Sequence, residues 1–386
     1  MGHTNGQKGK EAMKYDPATD PEKTTHLFFG PQHPGVTGNM SIEMWFDGDQ
    51  ITKAITHVGY LHRGFEKLME KRLWIQNFPL VCRICVPEPD INEQCYAMAI
   101  EELTGIEVPE RAKWIRTLVL EMARLAVNLM AFGGQAGTLG LGTGAMWGIT
   151  LRDFVLDLFE ELTGARIYHI YIQPGGVRRD LPPGFEKRVM DVLGTIEERL
   201  PEFDRLILNN SVFKLRTRNV GVVDPQWIEP YGLVGPVARG SGGERDVRKD
   251  APYEVYDKLN FDVVTENGND IYSRARVRRR EIDLSINLIK QIFQGMPSGK
   301  IAEKLPNLTE WRVPEGEYYA RVESARGEYG YYVVSDGSTK PRRVHVRGPS
   351  YVHAVSLLER MLVGANIADV SNIMVSLTTC PPEIER

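Results

Sequence analysis

PERAKWIRTLVLEMARLAVNL, residues 109–129, decides the fold class. In it Trp114, Ile115, Leu118, Met122, Leu125 and Leu129 recur at spacings of three and four, the period of an amphipathic or wholly buried helix, and Pro109 fits the first helical position. Similar patterns predict helices over 147–162, 185–200, 281–293 and 351–362. Upstream, Met40, Ile42, Met44 and Phe46 alternate, an Asp47-Gly48 turn follows, and Ile51, Ala54 and Thr56 resume, which predicts a hairpin with one buried face. Downstream, EYYARVESARGEYGYYVVSDGSTKPRRVHVRG (317–348) is rich in Tyr and Val and broken by Gly and Asp-Gly, the pattern of a small antiparallel sheet. The expected architecture is α+β and mostly helical: a flexible N-terminal arm over 1–24, then a single domain over 25–386 with peripheral antiparallel hairpins.

Composition narrows the function. Over 386 residues the apolar share is 42 % and the charged share 25 %, values of an ordinary globular protein. A net charge of −4 gives no field for nucleic acid. No apolar run approaches the roughly 18 to 20 residues of a bilayer span, and the N-terminus lacks the apolar centre of a signal peptide. Four cysteines over this length do not make a secreted disulfide framework, so their value is local.

VCRICVPEPD (81–90) sets Cys82 and Cys85 at C-x-x-C spacing, with Arg83 between them to favour thiolate. A structural zinc would need a second pair, and none exists. Cys95 lies in the helix-like run NEQCYAMAIEEL and reads as a small core residue. Cys380 lies in LTTCPPEIER, after an apolar helix and before two prolines; on spacing alone, packing and catalysis both stay open for it and for Cys82/Cys85. The glycine-rich GGQAGTLGLGTGAM (133–146) has no Gly-Lys-Ser/Thr ending and no preceding strand, so close helix packing is expected there. The run Arg274, Arg276, Arg278, Arg279, Arg280 reads as a solvated or subunit-facing surface.

Seven blocks carry a resemblance: FGPQHPGVTGNMSIEMWFDGD, THVGYLHRGFEKLME, IEVPERAKWIRTLVLEMARL, TGARIYHIYIQPGGVRRDLP, GPVARGSGGERDVRKDAPYEVYD, VESARGEYGYYVVSDG and VRGPSY. In order they resemble the D subunit of NADH-quinone oxidoreductase (complex I), a family related to the large subunit of nickel-iron hydrogenases. The resemblance implies a nickel-iron hydrogenase large-subunit-like fold packed against a small subunit that carries a [4Fe-4S] cluster. It also implies other hydrophilic iron-sulfur subunits, membrane subunits that move ions, and a place in a peripheral arm on the cytoplasmic side of the cell membrane.

The departures from that family refine the expectation. A quinone-ligating histidine of the family falls on Thr37 and its partner tyrosine on Val86, which disfavours quinone reduction. Set on the hydrogenase pattern, Cys85 and Cys380 match terminal nickel ligands, while Glu88 and Glu383 replace the cysteines that bridge nickel and iron, so no nickel-iron centre is expected. This half-emptied site resembles the large subunit of archaeal membrane-bound sulfane sulfur reductase, fed by ferredoxin through [4Fe-4S] clusters. The resemblance implies that Cys85 and Cys380 exchange sulfur, with Arg83 beside the nearest cluster and Glu88 and Glu383 in the same pocket. His33, Glu66, Glu88 and Glu383 are proton-relay candidates, against a turn-stabilising role for His33 and an ion pair with Arg63 or Lys67 for Glu66. His169 is placed near the cluster, although the family's histidine aligns with Tyr168 and His169 falls one residue late. No metal or other cofactor is expected on the chain itself. Two alternatives stand beside this reading: quinone or related-carrier reduction by a divergent pocket, and a structural coupling role with a dead site.

Overall fold

The computed structural model of the protein describes residues 25–33 and 38–386. The arm expected over 1–24 and the Thr37 departure lie outside the described residues. The expected hairpin forms as Ser41–Asp47 and Gln50–His57, turning at Gly48 (φ +63°), and a third strand, Thr25–Phe29, adds antiparallel to its edge. Met40, Ile42, Met44, Phe46, Ile51 and Ala54 turn to one face, where they meet Leu357, Met361 and Met374 of the C-terminal helices in a core of their own.

Four long helices, Glu110–Gly137, Gly142–Thr163, Phe185–Leu206 and Ile271–Gly295, make the second and larger core. Pro109 caps the first of them from just outside, with extended backbone (φ −58°, ψ 145°) and not helical backbone. The glycines of 133–148 let the first two helices touch backbone to backbone. A Cβ on Gly148 would lie 2.7 Å from the Leu129 carbonyl oxygen and 2.9 Å from Gly133 Cα. This is the close packing read from the sequence.

The Tyr- and Val-rich segment forms a three-stranded antiparallel sheet, Gly316–Ser324, Gly327–Ser335 and Arg343–Arg347, that lies on the helix Pro89–Thr104. Cys95 of that helix is wholly buried, its thiol 3.4 Å from the Tyr329 carbonyl, as a small core residue should be. The 351–362 periodicity belongs to one helical run, Pro349–Leu362, whose middle, Val352–Leu357, is wound as a π-helix. Helices make up about half of the chain and the sheets are small. Among the described residues no helix is long and apolar enough to cross a membrane.

One reading is overturned. Arg274, Arg278 and Arg279 are buried, and only Arg276 and Arg280 of the run face outward. Residues 274 and 278 share the inward face of their helix at i,i+4 spacing, and each guanidinium finds oxygen there. Arg274 donates to the Gly221 carbonyl at 2.8 Å and to Ser376 Oγ; Arg278 donates to the Ala325 carbonyl at 3.2 Å and to Thr378 Oγ1. Gly148→Val tests the helix contact: a branched side chain against backbone should cost about 1–3 kcal/mol or more, read as a lower thermal midpoint of the assembled protein.

Candidate active site

The site is built where four distant segments converge. The chain leaves the short helix Phe78–Val81 through a turn, and Pro87 and Pro89 bracket Glu88, which caps the helix Pro89–Thr104. This sets Cys85 and Glu88 at the floor of the site, both wholly buried. The C-terminus enters from the other side. Thr378 takes left-handed backbone (φ +49°), which turns the chain out of the helix Val370–Leu377 and makes Cys380 the cap of the final turn Pro381–Ile384, carrying Glu383. The thiols of Cys85 and Cys380 and a Glu383 oxygen lie within 4.8 Å of one another.

Arg326 joins these segments. It occupies the tight turn between the first two strands of the second sheet, where Gly235 approaches so closely that a Cβ would stand 2.2 Å from the Arg326 carbonyl oxygen. The guanidinium is buried. Its Nη2 donates to Cys85 Sγ at 2.6 Å, its Nε to Glu88 Oε2 at 3.1 Å and its Nη1 to Ser350 Oγ at 3.1 Å, while Nη1 lies 2.5 Å from Glu383 Oε2 in an ion pair. The second oxygen of each carboxylate accepts from a backbone amide: Glu88 from Ala325 at 2.7 Å, Glu383 from Ser350 at 2.8 Å. Ser350 Oγ in turn accepts from the Cys380 amide at 3.1 Å.

The two thiols act on each other's titration. The hydrogen bond from Cys85, helped by Arg326 and the Val86 amide, outweighs burial and brings Cys380 down to about 7. Burial and the same hydrogen bond push Cys85 well up, although Arg326 opposes them. As pH rises through about 7 the pair passes to thiol at Cys85 and thiolate at Cys380, the nucleophilic form. A cavity of about 620 Å³ leads to Arg326 between the walls Val127, Met130, Ala131 and Val375, with Thr378 and Thr379 beside them.

A nickel-iron centre does not fit these residues. It needs four soft donors, and here two positions are carboxylates already engaged by Arg326 and by amides, with a permanent cation 2.6 Å from the Cys85 sulfur.

Other residues singled out from sequence fall elsewhere. Arg83 turns from the thiol pair: it donates to the Pro79 carbonyl at 2.6 Å and to Cys82 Sγ at 3.3 Å, and it stacks over Tyr168 at 5.0 Å. Cys82, pushed up to about 12 chiefly by burial, donates to the Pro79 carbonyl and does not pair with Cys85. His169 points inward, 2.8 Å from Asp90 and stacked on Phe159 at 4.1 Å; burial disfavours its charge, but Asp90 and Glu93 raise it overall. The residue beside Arg83 is Tyr168. His33 rests against Phe29 at 4.1 Å. Glu66 is ion-paired not with Arg63 or Lys67 but with Arg343 at 2.8 Å and Arg386 at 3.3 Å, and His345 Nδ1 lies 3.1 Å from its carboxylate. Lys67 goes to Glu70, and Arg63 donates to the Arg83 carbonyl. Sequence reasoning missed Arg326 and Ser350. The signal for the first was a lone arginine among small residues, Ser324-Ala325-Arg326-Gly327, inside a hairpin of Val and Tyr.

The family model of the respiratory-chain NADH dehydrogenase 49 kDa subunit matches residues 138–309 and 305–386. The NADH-quinone oxidoreductase D subunit of Thermosipho melanesiensis is 48 % identical over 93 % of this chain and 99 % of its own length. The chain belongs to this family. The F420H2 dehydrogenase D subunit of Methanosarcina mazei is another relative, 37 % identical over 95 % of this chain and 98 % of its own length. Among solved structures, a chain of the membrane-bound sulfane sulfur reductase, an archaeal respiratory membrane complex, matches with a TM-score of 0.92 and 46 % identity, covering 95 % of this chain and 99 % of that one. The 49 kDa family chain described above and that sulfane sulfur reductase chain thus share one fold.

Two measurements probe the site. Arg326→Met leaves Glu88 and Glu383 buried without their cation and should destabilise the protein by about 3–5 kcal/mol, seen in denaturant or thermal unfolding. Alkylation of Cys380 should rise with pH through a midpoint near 7, because the thiolate is the reactive form and accumulates above that value. In Cys85→Ala, which removes the hydrogen bond, that midpoint should move upward.

Proposed function

We propose that the chain is the pocket-bearing subunit of a membrane respiratory complex that reduces sulfane sulfur, cleaving S–S bonds of polysulfides with electrons from a neighbouring [4Fe-4S] cluster. The observation that carries this reading is the thiol–thiolate pair held against a buried guanidinium. Polysulfide is an anion with electrophilic internal sulfurs, and such a site attracts it and attacks it.

The chemistry balances in three steps. The Cys380 thiolate attacks an internal sulfur of the polysulfide, forming a Cys380–S bond and expelling a shorter polysulfide dianion. Cys85 passes its proton to the terminal sulfur of the captured chain and attacks Cys380 Sγ as the thiolate, giving a Cys85–Cys380 disulfide and releasing the captured sulfur as a hydro(poly)sulfide anion. Two electrons and one proton then restore thiol and thiolate. Arg326 stabilises the anion that enters and each sulfur anion that leaves, without itself giving up a proton.

The electrons come from a small subunit seated on the Arg83 and Tyr168 face, where Arg83 holds a positive charge towards the cluster. Ferredoxin supplies them through further iron-sulfur subunits, and membrane subunits couple their flow to ion movement from the cytoplasmic side. Glu88 and Glu383 anchor Arg326 and, with His33 and Glu66 farther out, are the carboxylate and imidazole groups available to bring the proton. The likeness to the sulfane sulfur reductase chain supports this assembly. Quinone reduction is the second reading, favoured by the name and 48 % identity of the Thermosipho relative.

The test uses the intact complex with reduced ferredoxin and compares polysulfide, a quinone analogue and protons as acceptors. Polysulfide turnover should fall at least about 100-fold in Cys85→Ser and in Cys380→Ser while the clusters still accept electrons. Quinone turnover indifferent to both substitutions would overturn the reading.

A further inference from the structure

The glycine-rich run 133–146 opens on two neighbouring glycines with different surroundings. A Cβ on Gly133 would stand 2.9 Å from the Gly144 carbonyl oxygen and from Gly148 Cα, so the close helix packing requires glycine there. A Cβ on Gly134 would meet no atom within 4 Å. Gly134 lies in the last turn of the helix Glu110–Gly137 without a positive φ, and glycine weakens a helix relative to alanine. Neither packing nor backbone conformation accounts for it.

The space beside Gly134 is the cavity of about 620 Å³ that leads to Arg326, a volume within the range of small-molecule sites. Val127, Ala131, Gly134 and Thr138 line it at spacings of three and four from one helix and its cap, and Ser371 and Val375 line it from the helix Val370–Leu377. Thr138 and Ser371 are half-buried whereas Val127 and Arg326 are buried, so the cavity runs inward from the surface. Its inner end belongs to the thiol site. Thr379, which lines it, precedes Cys380, and the Cys85 sulfur lies 2.6 Å from Nη2 of the lining Arg326. That guanidinium has a donor to spare. An arginine carries five N–H groups; those of Arg326 are directed at Glu88 from Nε, at Ser350 and Glu383 from Nη1 and at Cys85 from Nη2, which leaves one N–H of Nη2 without a partner among the described residues. A mostly apolar passage that ends on an uncommitted cationic donor suits a slender ligand with an anionic end.

We propose that this cavity is the passage in which the sulfur chain enters and lies, its anionic end on the spare N–H of Arg326 and its inner sulfurs along the Gly134 face, and that Gly134 sets how much width the acceptor is allowed. The inference deepens the sulfane-sulfur reading above and rests on it. A chain of sulfur atoms carries no side groups, so it passes where a wall has been stripped to glycine and alanine.

The experiment uses the intact complex and its Gly134→Ala, Gly134→Leu and Ser371→Phe variants, and follows KM for polysulfide, the rate at which iodoacetamide alkylates Cys380 at fixed pH, and the thermal midpoint. Gly134→Ala should unfold no lower than the unaltered protein, because its methyl group meets no atom. Gly134→Leu fills the cavity from one helix and Ser371→Phe from the other; each should raise KM for polysulfide about tenfold or more and slow the alkylation of Cys380, with the midpoint held. Should either substitution lower the midpoint, the other decides. Unaltered KM and alkylation in the bulky variants would overturn the inference and leave the sulfur reading standing. Losses that track a fall in midpoint in both would overturn it in favour of a packing role. An unaltered complex that reduces quinone but not polysulfide would overturn the sulfur reading and the inference together.

Discussion

The buried Arg326 guanidinium is the constraint on which the site depends. A cation taken out of water costs several kcal/mol unless carboxylates and acceptors converge on it, and here they arrive from three parts of the chain to meet a fourth. Glu88 comes from a helix start, Ser350 from the entry to a later helix, and Glu383 from the last few residues, while Arg326 itself comes from a hairpin turn. None of these groups is satisfied until all are in place. The same bonds set the distance between Cys85 and Cys380, so the reactive thiols are positioned by an ionic clamp and not by a loop of their own. A metal would do this work in a four-thiolate site; here an arginine does it.

Buried charge extends well beyond the clamp. Glu121 accepts from Tyr256 and Ser285 and pairs with Arg248 at 3.1 Å; Arg239 pairs with Glu281 at 2.5 Å and Glu323 at 2.7 Å; Arg116 lies between Glu101 and Glu254. These groups join the long helices Glu110–Gly137 and Ile271–Gly295 to the helix Pro89–Thr104, the strand Gly316–Ser324 and the segment 235–258, where a purely apolar core would be the simpler solution. Such a network specifies one arrangement of the helices, because a slipped register would strand several charges at once. It therefore keeps rigid the elements that carry the thiol site at their edge.

The relatives named for quinone, for F420H2 and for sulfane sulfur resemble this chain over nearly their whole length, which shows how little of the chemistry the fold itself dictates. The chemistry of this chain lies in a few side chains: two thiols, and two glutamates that hold an arginine between them. A carboxylate is a hard oxygen donor where a thiolate would be a soft one, and here each of the two carboxylates is an anchor of a guanidinium.

Much of this was legible in the chain. Periodicity located the long helices, and alternation located both three-stranded sheets, because burial on one face of a regular element leaves its period in the sequence. The glycines of 133–148 announced a close helix contact, since only glycine admits backbone at that distance. Other features were hidden for a physical reason. Arg274 and Arg278 read as surface because charge is normally solvated, and only the oxygens of Gly221, Ala325, Ser376 and Thr378, brought by distant segments, make their burial tolerable. The C-x-x-C spacing pointed to Cys82, whereas the fold gives Cys85 a partner from the far end of the chain and leaves Cys82 beside Arg83. Local pattern, by itself, determined the elements and the residue types available for chemistry. The pairing of Cys85 with Cys380 came from the resemblance to a known family and not from local pattern, and which arginine lies between the glutamates was decided only by tertiary structure, because those energies depend on convergence in space and leave no period along the chain.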